Sequence, residues 1–253
     1  KRIRVLTVLA VIVYVPTVLV TLVAELLGLG EVIQEYLQSG AIALDSLVYM
    51  MGLVVITFVS MTIGLAVVSV AVGQHLIDER ISVIGCYKRV LWRLFSVIYV
   101  SILLMMSLFI AVGGIVLIIP TLLAMAFILY ASMTIPVITF ERLKFTDGIK
   151  RSFQLVQKEL PRVILALVLM GLLMVGIVVT LTWTLKVADP IVENMPMVGL
   201  FVQLVSGLVA NCVLTMVVGT SITLLYLDVR SRKEKLDLEI LKREFKWRIH
   251  TPA

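Results

Sequence analysis

The fold is decided by one long uncharged stretch, residues 94–139, which reads LFSVIYVSILLMMSLFIAVGGIVLIIPTLLAMAFILYASMTIPVIT. A membrane-spanning helix needs about 20 apolar residues, because each residue rises about 1.5 Å through a hydrocarbon core about 30 Å thick. The stretch is far longer than that, so it cannot cross a bilayer only once. Gly113, Gly114 and Pro120 lie near its middle, where Gly-Gly and Pro both favour a break in a helix. Two antiparallel spans joined by a tight turn are therefore predicted.

The composition of the whole chain is that of a membrane protein. Of its 253 residues, 61% are hydrophobic and 15% are charged, and the mean hydropathy is +1.12. A soluble domain is typically about 45–50% apolar and about 25% charged, so the water-soluble classes are excluded. The counts of 15 Gly, 7 Pro and 2 Cys also exclude collagen-like, disordered and disulfide-framework proteins.

The apolar runs predict an all-α, polytopic integral membrane protein with six transmembrane helices. The predicted spans are about residues 5–28, 47–73, 94–119, 121–140, 162–185 and 197–227. The membrane domain is expected to cover residues 1–227, and a charged cytoplasmic tail residues 228–253. The first span has a basic start, as a signal peptide does, but its apolar run is longer than a signal-peptide core of about 7–15 residues and no clear cleavage site follows. We expect it to be retained as an anchor.

The distribution of basic residues predicts the orientation. Six spans put both termini on one side of the membrane, together with 21 of the 22 Lys and Arg residues, and only Lys186 lies on the other side. The positive-inside rule then assigns both termini and the loops at 74–93 and 141–161 to the cytoplasm. The same bias explains the pI of about 9.4 without nucleic acid, for which no binding motif is present.

Two of the cytoplasmic segments show amphipathic helical patterns, which are typical of helices lying in the headgroup plane. One apolar face is formed by Phe145, Ile149, Phe153, Val156 and Leu160, and another, in segment 80–94, by Val83, Cys86, Tyr87, Val90 and Leu94. The basic residues on the opposite faces are predicted to contact anionic lipid headgroups: Lys88, Arg89, Arg93, Lys144, Arg151 and Lys158. A helix packed against neighbouring protein has the same pattern.

The sixth span is the most polar. Its small and polar residues recur at every fourth position: Gln203, Gly207, Asn211, Thr215, Gly219 and Thr223. Such residues let helices approach closely and form hydrogen bonds in lipid, so helix packing is predicted, with a polar path for a substrate as the alternative. Ser60 and Gly64, and likewise Ser69 and Gly73, are similar small-residue pairs in the second span.

Groups that carry chemistry are scarce. The middles of the predicted spans contain no Asp, Glu, Lys, Arg or His, which are the usual carriers of proton transport and intramembrane hydrolysis. The two Cys and two His residues are scattered along the chain. No catalytic residue, cofactor or metal is therefore expected.

The end of the sixth span carries a motif that extends into the tail. Its residues are Tyr226, Asp228, Arg230, Arg232, Lys233, Glu234 and Asp237. Together with Ile119-Pro120, Pro136, Glu141 and the stretch from Gly148 to Leu155, this motif resembles the glycerophosphoryl diester phosphodiesterase membrane domain family of bacterial and archaeal membrane proteins. The chain departs from that family at Gly148, where Ala is usual, and at Thr121, where Gly is frequent.

The resemblance covers about residues 110–239. It implies a six-span module in a prokaryotic cytoplasmic membrane. It transfers no active site, because the family's catalytic residues belong to a separate phosphodiesterase domain whose sequence is not found here.

These observations favour a non-enzymatic membrane scaffold or accessory subunit. Its expected partners are anionic lipids of the cytoplasmic face and another protein or a second copy of the chain. Along the tail, Leu236, Ile240 and Trp247 form one apolar stripe of a helix and Leu238, Leu241, Phe245 and Ile249 an opposite one, as expected for a docking helix. The alternative function is a transporter of a small molecule or lipid through a polar path near the sixth span. Discontinuous helices build transporter sites, and four prolines are candidates to interrupt helices here: Pro16, Pro120, Pro136 and Pro161.

Overall fold

A computed structural model describes residues 2–26, 44–76, 81–113, 118–141, 143, 145–192 and 196–234. All regular secondary structure in those residues is α-helical. The helices are α1 (Arg2–Leu26), α2 (Leu44–Leu76), α3 (Val83–Leu91), α4 (Leu94–Gly113), α5 (Ile118–Ala131), α6 (Thr134–Glu141), α7 (Phe145–Lys158), α8 (Leu160–Val192) and α9 (Pro196–Glu234).

The prediction of six spans is confirmed. Six stretches are helical, long enough and apolar enough to cross a membrane: Val5–Val23, Met51–Leu76, Leu94–Ala111, Ile118–Glu141, Leu160–Thr180 and Leu204–Glu234. The last stretch extends beyond the predicted end of the span at residue 227, because α9 continues without interruption to Glu234. The predicted boundary between membrane domain and tail therefore falls inside a helix.

The predicted break between the third and fourth spans is present. Helix α4 ends at Gly113, six residues before the predicted end, and α5 begins at Ile118. Pro120 lies in the first turn of α5, where a missing N–H removes no helical hydrogen bond. Pro16 and Pro161 do not end a helix either, since α1 continues past Pro16 and Pro161 lies in the first turn of α8.

The fourth span contains a second break beside Pro136, one of the prolines expected to interrupt helices. Helix α5 ends at Ala131, and α6 begins at Thr134. Pro136 has no N–H to donate to the carbonyl of Ser132, and its ring crowds the preceding turn. In the turn between the two helices, the N–H of Ser132 bonds the carbonyl of Leu129 at 3.4 Å. This bond to the third preceding residue is typical of a 3₁₀ turn, which is tighter than an α-helical turn.

Helix α2 lies at the centre of the bundle. It packs against α1, α9 and α4, and 50% of its most apolar stretch is buried. Helix α8 is at the periphery, with 6% of its most apolar stretch buried, and it packs mainly against α9. The short helices α6 and α7 pack against the ends of the long helices and enclose a core around Met133, Leu155, Val156 and Tyr226. Helix α3 packs against α2 and α1, and its Cys86 and Val90 belong to a separate core cluster.

The apolar faces of the two amphipathic segments are covered by protein. Val156 of α7 and Cys86 of α3 each have 0% exposure. For α7, Phe153 stacks on Tyr130 with ring centroids 4.9 Å apart. The expectation that these faces lie in the headgroup plane therefore does not fit the structure. The same helical periodicity serves packing against α2, α5, α6 and α9.

Candidate functional site

Five polar side chains from three helices meet where the fourth and sixth spans end. Glu141 is the last residue of α6, Arg151 lies in α7, and Tyr226, Arg230 and Glu234 lie in α9. The three α9 residues are four positions apart, so they share one face of the helix. We call this group the ion-pair cluster.

The cluster forms a closed ring of alternating charges. Arg151 Nε donates to Glu141 Oε2 at 2.9 Å, and Arg151 also pairs with Glu234. Arg230 Nε donates to Glu234 Oε2 at 3.0 Å and lies 3.7 Å from Glu141 Oε1. Each guanidinium therefore contacts both carboxylates, and the four charges sum to zero.

Tyr226 closes the ring on its buried side. Its hydroxyl donates to Glu141 Oε1 at 3.0 Å and accepts from Arg230 at 3.3 Å. The Tyr226 side chain is 0% exposed and Arg230 is 3% exposed, so water does not screen these contacts. Buried charges are tolerated only when they are paired and hydrogen-bonded, as all of these are.

The electrostatics of Arg151 reflect two opposing effects. Burial alone would lower the pKa of the Arg151 guanidinium. The hydrogen bonds and charges of Glu141 and Glu234 outweigh burial and raise that pKa above its ordinary value. Arg151 is therefore a permanently charged link between α6 and α9.

Close packing holds the cluster in place. The Phe140 and Tyr226 rings lie almost parallel, with centroids 5.7 Å apart. Gly73 of α2 makes room for Phe140, because a Cβ at position 73 would overlap its ring. Ser152 donates to the carbonyl of Tyr130 at 2.7 Å, which fixes α7 against α5.

Gly148 lies where α7 packs closely against α6. A Cβ at this position would lie 2.6 Å from Cγ1 of Ile138, so α7 could not approach α6 as closely with the Ala that the resembled family usually has. Gly148 therefore permits the close packing of α7 on α6.

The remaining motif residues lie at the edge of the cluster. Arg232 pairs with Asp228 at 2.9 Å, and both side chains are about half exposed. Arg162 of α8 lies 3.9 Å from Asp228. Lys233 donates to the carbonyl of Gln154 in α7. Asp237 lies outside the described residues.

The six residues predicted to contact headgroups occupy different environments. Lys88 and Lys158 are exposed and Arg89 is half-buried, whereas Lys144 lies outside the described residues. Arg151 belongs to the ion-pair cluster. Arg93 donates to the carbonyls of Ile138 at 2.9 Å and Leu143 at 3.4 Å, so it caps the end of α6.

A second set of polar contacts joins the long helices inside the bundle. Tyr14 of α1 and Thr215 of α9 share a hydrogen bond of 2.5 Å, and Thr223 of α9 donates to Ser69 of α2 at 2.9 Å. Thr62 of α2 and Ser101 of α4 share one of 2.8 Å. Hydrogen bonds of this kind fix the relative positions of helices in lipid.

The predicted polar stripe of the sixth span divides into two halves. Thr215 and Gly219 pack against α2: the Thr215 methyl approaches Gly64, and a Cβ on Gly219 would lie 2.9 Å from Val68. A Cβ on Gly207 would meet nothing within 4 Å, and Asn211 donates to its own helix at the carbonyl of Gly207. The stripe winds around α9, so its outer half faces away from the bundle. The side chain of Gln203 lies outside the described residues.

Two contacts of α3 were not anticipated from the sequence. Tyr87 donates to the carbonyl of Leu9 at 2.6 Å, and Cys86 donates to Gln74 at 3.2 Å. Burial raises the pKa of the Cys86 thiol to about 11 and that of Tyr87 to about 12. No charge or spacing pattern marks such contacts, because they join residues that are far apart in the sequence.

The comparisons with known proteins give no relatives: no family model, curated protein or solved structure matches the chain. The resemblance inferred from the sequence motifs therefore stays a prediction. Among the described residues, no three His, Cys, Asp or Glu side chains are grouped as metal ligands would be.

Proposed function

We propose that the protein is a non-enzymatic integral membrane scaffold or accessory subunit, with a rigid cytoplasmic end on which the charged tail is mounted. The observation that carries this proposal is that polar side chains of the described residues form hydrogen bonds and ion pairs with one another. Those of the ion-pair cluster bond one another, and Tyr14, Thr62 and Ser69 bond hydroxyls on other helices. A group committed to such a bond holds helices together and is not free to act on a substrate.

The position of the ion-pair cluster supports this role. It ties α9 to α6 and α7 up to Glu234, the last residue that the structure describes. A tail that follows a clamped helix starts from a fixed position, which favours docking on a partner. The two apolar stripes predicted for residues 236–249 supply the surface for that partner.

The experiment is purification of the full chain in polymer-bounded native membrane discs. We expect a second protein at a constant ratio to the chain, lost when Leu238, Leu241 and Phe245 are replaced by Ser. The matched control replaces Lys235 and Lys242 by Arg, which keeps the charge and the apolar stripes. Recovery of the same protein with the Ser variant, or of none with the unaltered chain, would contradict docking through the tail.

One observation favours the alternative, a transporter. At the break between α5 and α6, Ser132 Oγ and Thr134 Oγ1 are buried without a hydrogen-bond partner among the described residues. Interrupted helices with free polar groups build solute sites in transporters. If Thr134→Val, which keeps the shape, abolishes uptake of a solute by cells while the thermal stability is unchanged, the transporter replaces the scaffold.

A further inference from the structure

Four large apolar side chains on α3, in the turn after it and at the start of α4 are strongly exposed. Ile84 is 80% exposed, Leu91 67%, Trp92 75% and Phe95 82%. We call these four residues the α3 patch. Ile84 and Leu91 lie beside the predicted apolar face of α3, whose Cys86 and Val90 are buried against the bundle.

The orientation of the α3 patch is fixed by the contacts of the buried face. Ser82 caps α3 by accepting a hydrogen bond from Gly85 N at 3.3 Å. Tyr87 bonds α1, Cys86 bonds α2, and Arg93 bonds the end of α6. These bonds fix the rotation of α3 relative to the bundle, so the direction of its exposed face is fixed as well.

The α3 patch continues into the lipid-facing surface of the third span. Phe95, Tyr99, Ile102 and Met106 follow at spacings of four, three and four, and they are 82%, 40%, 46% and 52% exposed. This span begins at Leu94, so Trp92 lies at its entrance to the bilayer. Trp is enriched at that depth because its ring has an apolar body and a polar N–H.

One basic residue lies within the α3 patch. Lys88 is exposed and is spaced four residues from Ile84 and three from Leu91, so it shares their face of the helix. A lysine at a membrane surface extends its ammonium group to the phosphates while its stem lies along apolar neighbours. A patch of Trp and aliphatic side chains around one Lys fits an anionic lipid surface better than water.

We propose that the α3 patch inserts into the boundary between headgroups and acyl chains of the leaflet where the third span begins, with Lys88 on an anionic headgroup. The insertion depth is about 5–10 Å, as for other interfacial helices. Helix α3 thus acts as a lateral anchor that sets how deeply the cytoplasmic end of the protein lies in the membrane.

The depth test uses Trp92 as the only tryptophan of the full chain. Trp183→Phe and Trp247→Phe remove the other two, and the variant is reconstituted into vesicles with lipids brominated either near the glycerol end or near the chain end. We expect stronger quenching of Trp92 fluorescence by the shallow bromines and weak quenching by acrylamide in water. Acrylamide quenching without bromolipid quenching would place the patch in water. Protection from both quenchers would mean that protein, such as a second copy, covers it. Either result overturns the proposal.

The headgroup test compares anionic and zwitterionic brominated lipids at equal mole fraction. We expect the anionic lipid to quench Trp92 more strongly, by at most about fivefold, since one lysine near an anionic surface contributes about 1 kcal/mol. Lys88→Gln should remove this difference between the two lipids. Lys158→Gln, which changes an exposed lysine at the end of α7, should leave the difference unchanged. Equal quenching by both lipids in the unaltered Lys88 protein would overturn the role of Lys88. Unchanged thermal unfolding of both Gln variants ensures that the comparison concerns folded protein.

Discussion

The hydroxyl of Tyr226 donates a 3.0 Å hydrogen bond to Oε1 of Glu141, which joins the end of the sixth span to the end of the fourth. The two residues are 85 positions apart in the chain. The same carboxylate accepts from Arg151 through its other oxygen, so Glu141 is the point where α6, α7 and α9 are held together.

The first prediction concerns this bond. Tyr226→Phe keeps the ring stacked on Phe140 but removes the hydroxyl that serves Glu141 and Arg230. Leaving a buried charged group short of a partner should lower the free energy of unfolding by about 1–3 kcal/mol. The measurement is unfolding by SDS titration in mixed micelles. Tyr130→Phe is the control, because the stack with Phe153 is kept, and an equal loss in both variants would contradict the role of the hydroxyl.

The second prediction separates buried from exposed ion pairs. Arg230→Met removes one guanidinium of the ring and leaves Glu141 and Glu234 with a single arginine between them. Removing one partner of a buried pair costs about 3–5 kcal/mol, so we expect a large loss of stability. Arg232→Met breaks only the exposed pair with Asp228 and should cost about 1 kcal/mol or less. Similar losses for the two variants, measured by the same titration, would show that the cluster is not the stabilising element.

The third prediction concerns the two halves of the polar stripe. A side chain at Gly219 would press on Val68 of α2, whereas the same change at Gly207 meets open space. Gly219→Leu should therefore destabilise the protein by about 1–3 kcal/mol or more through overpacking, and Gly207→Leu should be close to neutral. Thermal unfolding in detergent measures both. A greater loss at Gly207 would mean that a further helix covers the outer half of the stripe.

The sequence was sufficient to predict the spans, because an uncharged run of about 20 residues has one stable place in a bilayer. It was not sufficient to decide what covers an amphipathic face. Val156 and Cys86 belong to faces that repeat with the helical period whether lipid or protein covers them, so the pattern alone left both alternatives open. The structure places protein there and exposes Ile84 and Trp92 instead.

The ion-pair cluster could be predicted only in part. Arg230 and Glu234 stood out as part of a motif, and their four-residue spacing predicts a local pair. Nothing local indicates that Glu141 and Arg151 complete the ring, since this requires α6 and α7 to fold back onto α9. Tyr14 and Gln74 were missed for the same reason: a polar residue in an apolar helix reveals its partner only when the helices are packed.

The fourth prediction uses the raised pKa of Cys86. Maleimides react with the thiolate, and a pKa raised from 9.0 to about 11 lowers the thiolate fraction near neutral pH about 100-fold. In a Cys212→Ala background, Cys86 should label at least that much more slowly than Gln157→Cys, on the exposed side of α7, in a protein that also carries Cys86→Ala. Denaturant should bring the two labelling rates together. Rapid labelling of Cys86 in the folded protein would contradict its burial and its bond to Gln74.

The last prediction concerns orientation, which follows from the charge distribution. With both native cysteines replaced by Ala, single cysteines are introduced at Gln38 and Asn194 in the loops assigned to the outside, and at Gln157 on the exposed side of α7. A membrane-impermeant maleimide should label the first two in intact cells and label Gln157→Cys only after the cells are broken. The reason is that the positive-inside rule assigns the side with 21 of the 22 basic residues to the cytoplasm. Labelling of all three in intact cells would indicate leaky membranes, so a cytoplasmic marker protein is followed in parallel. Labelling of Gln157→Cys alone would reverse the orientation and place the ion-pair cluster and the α3 patch at the outer leaflet.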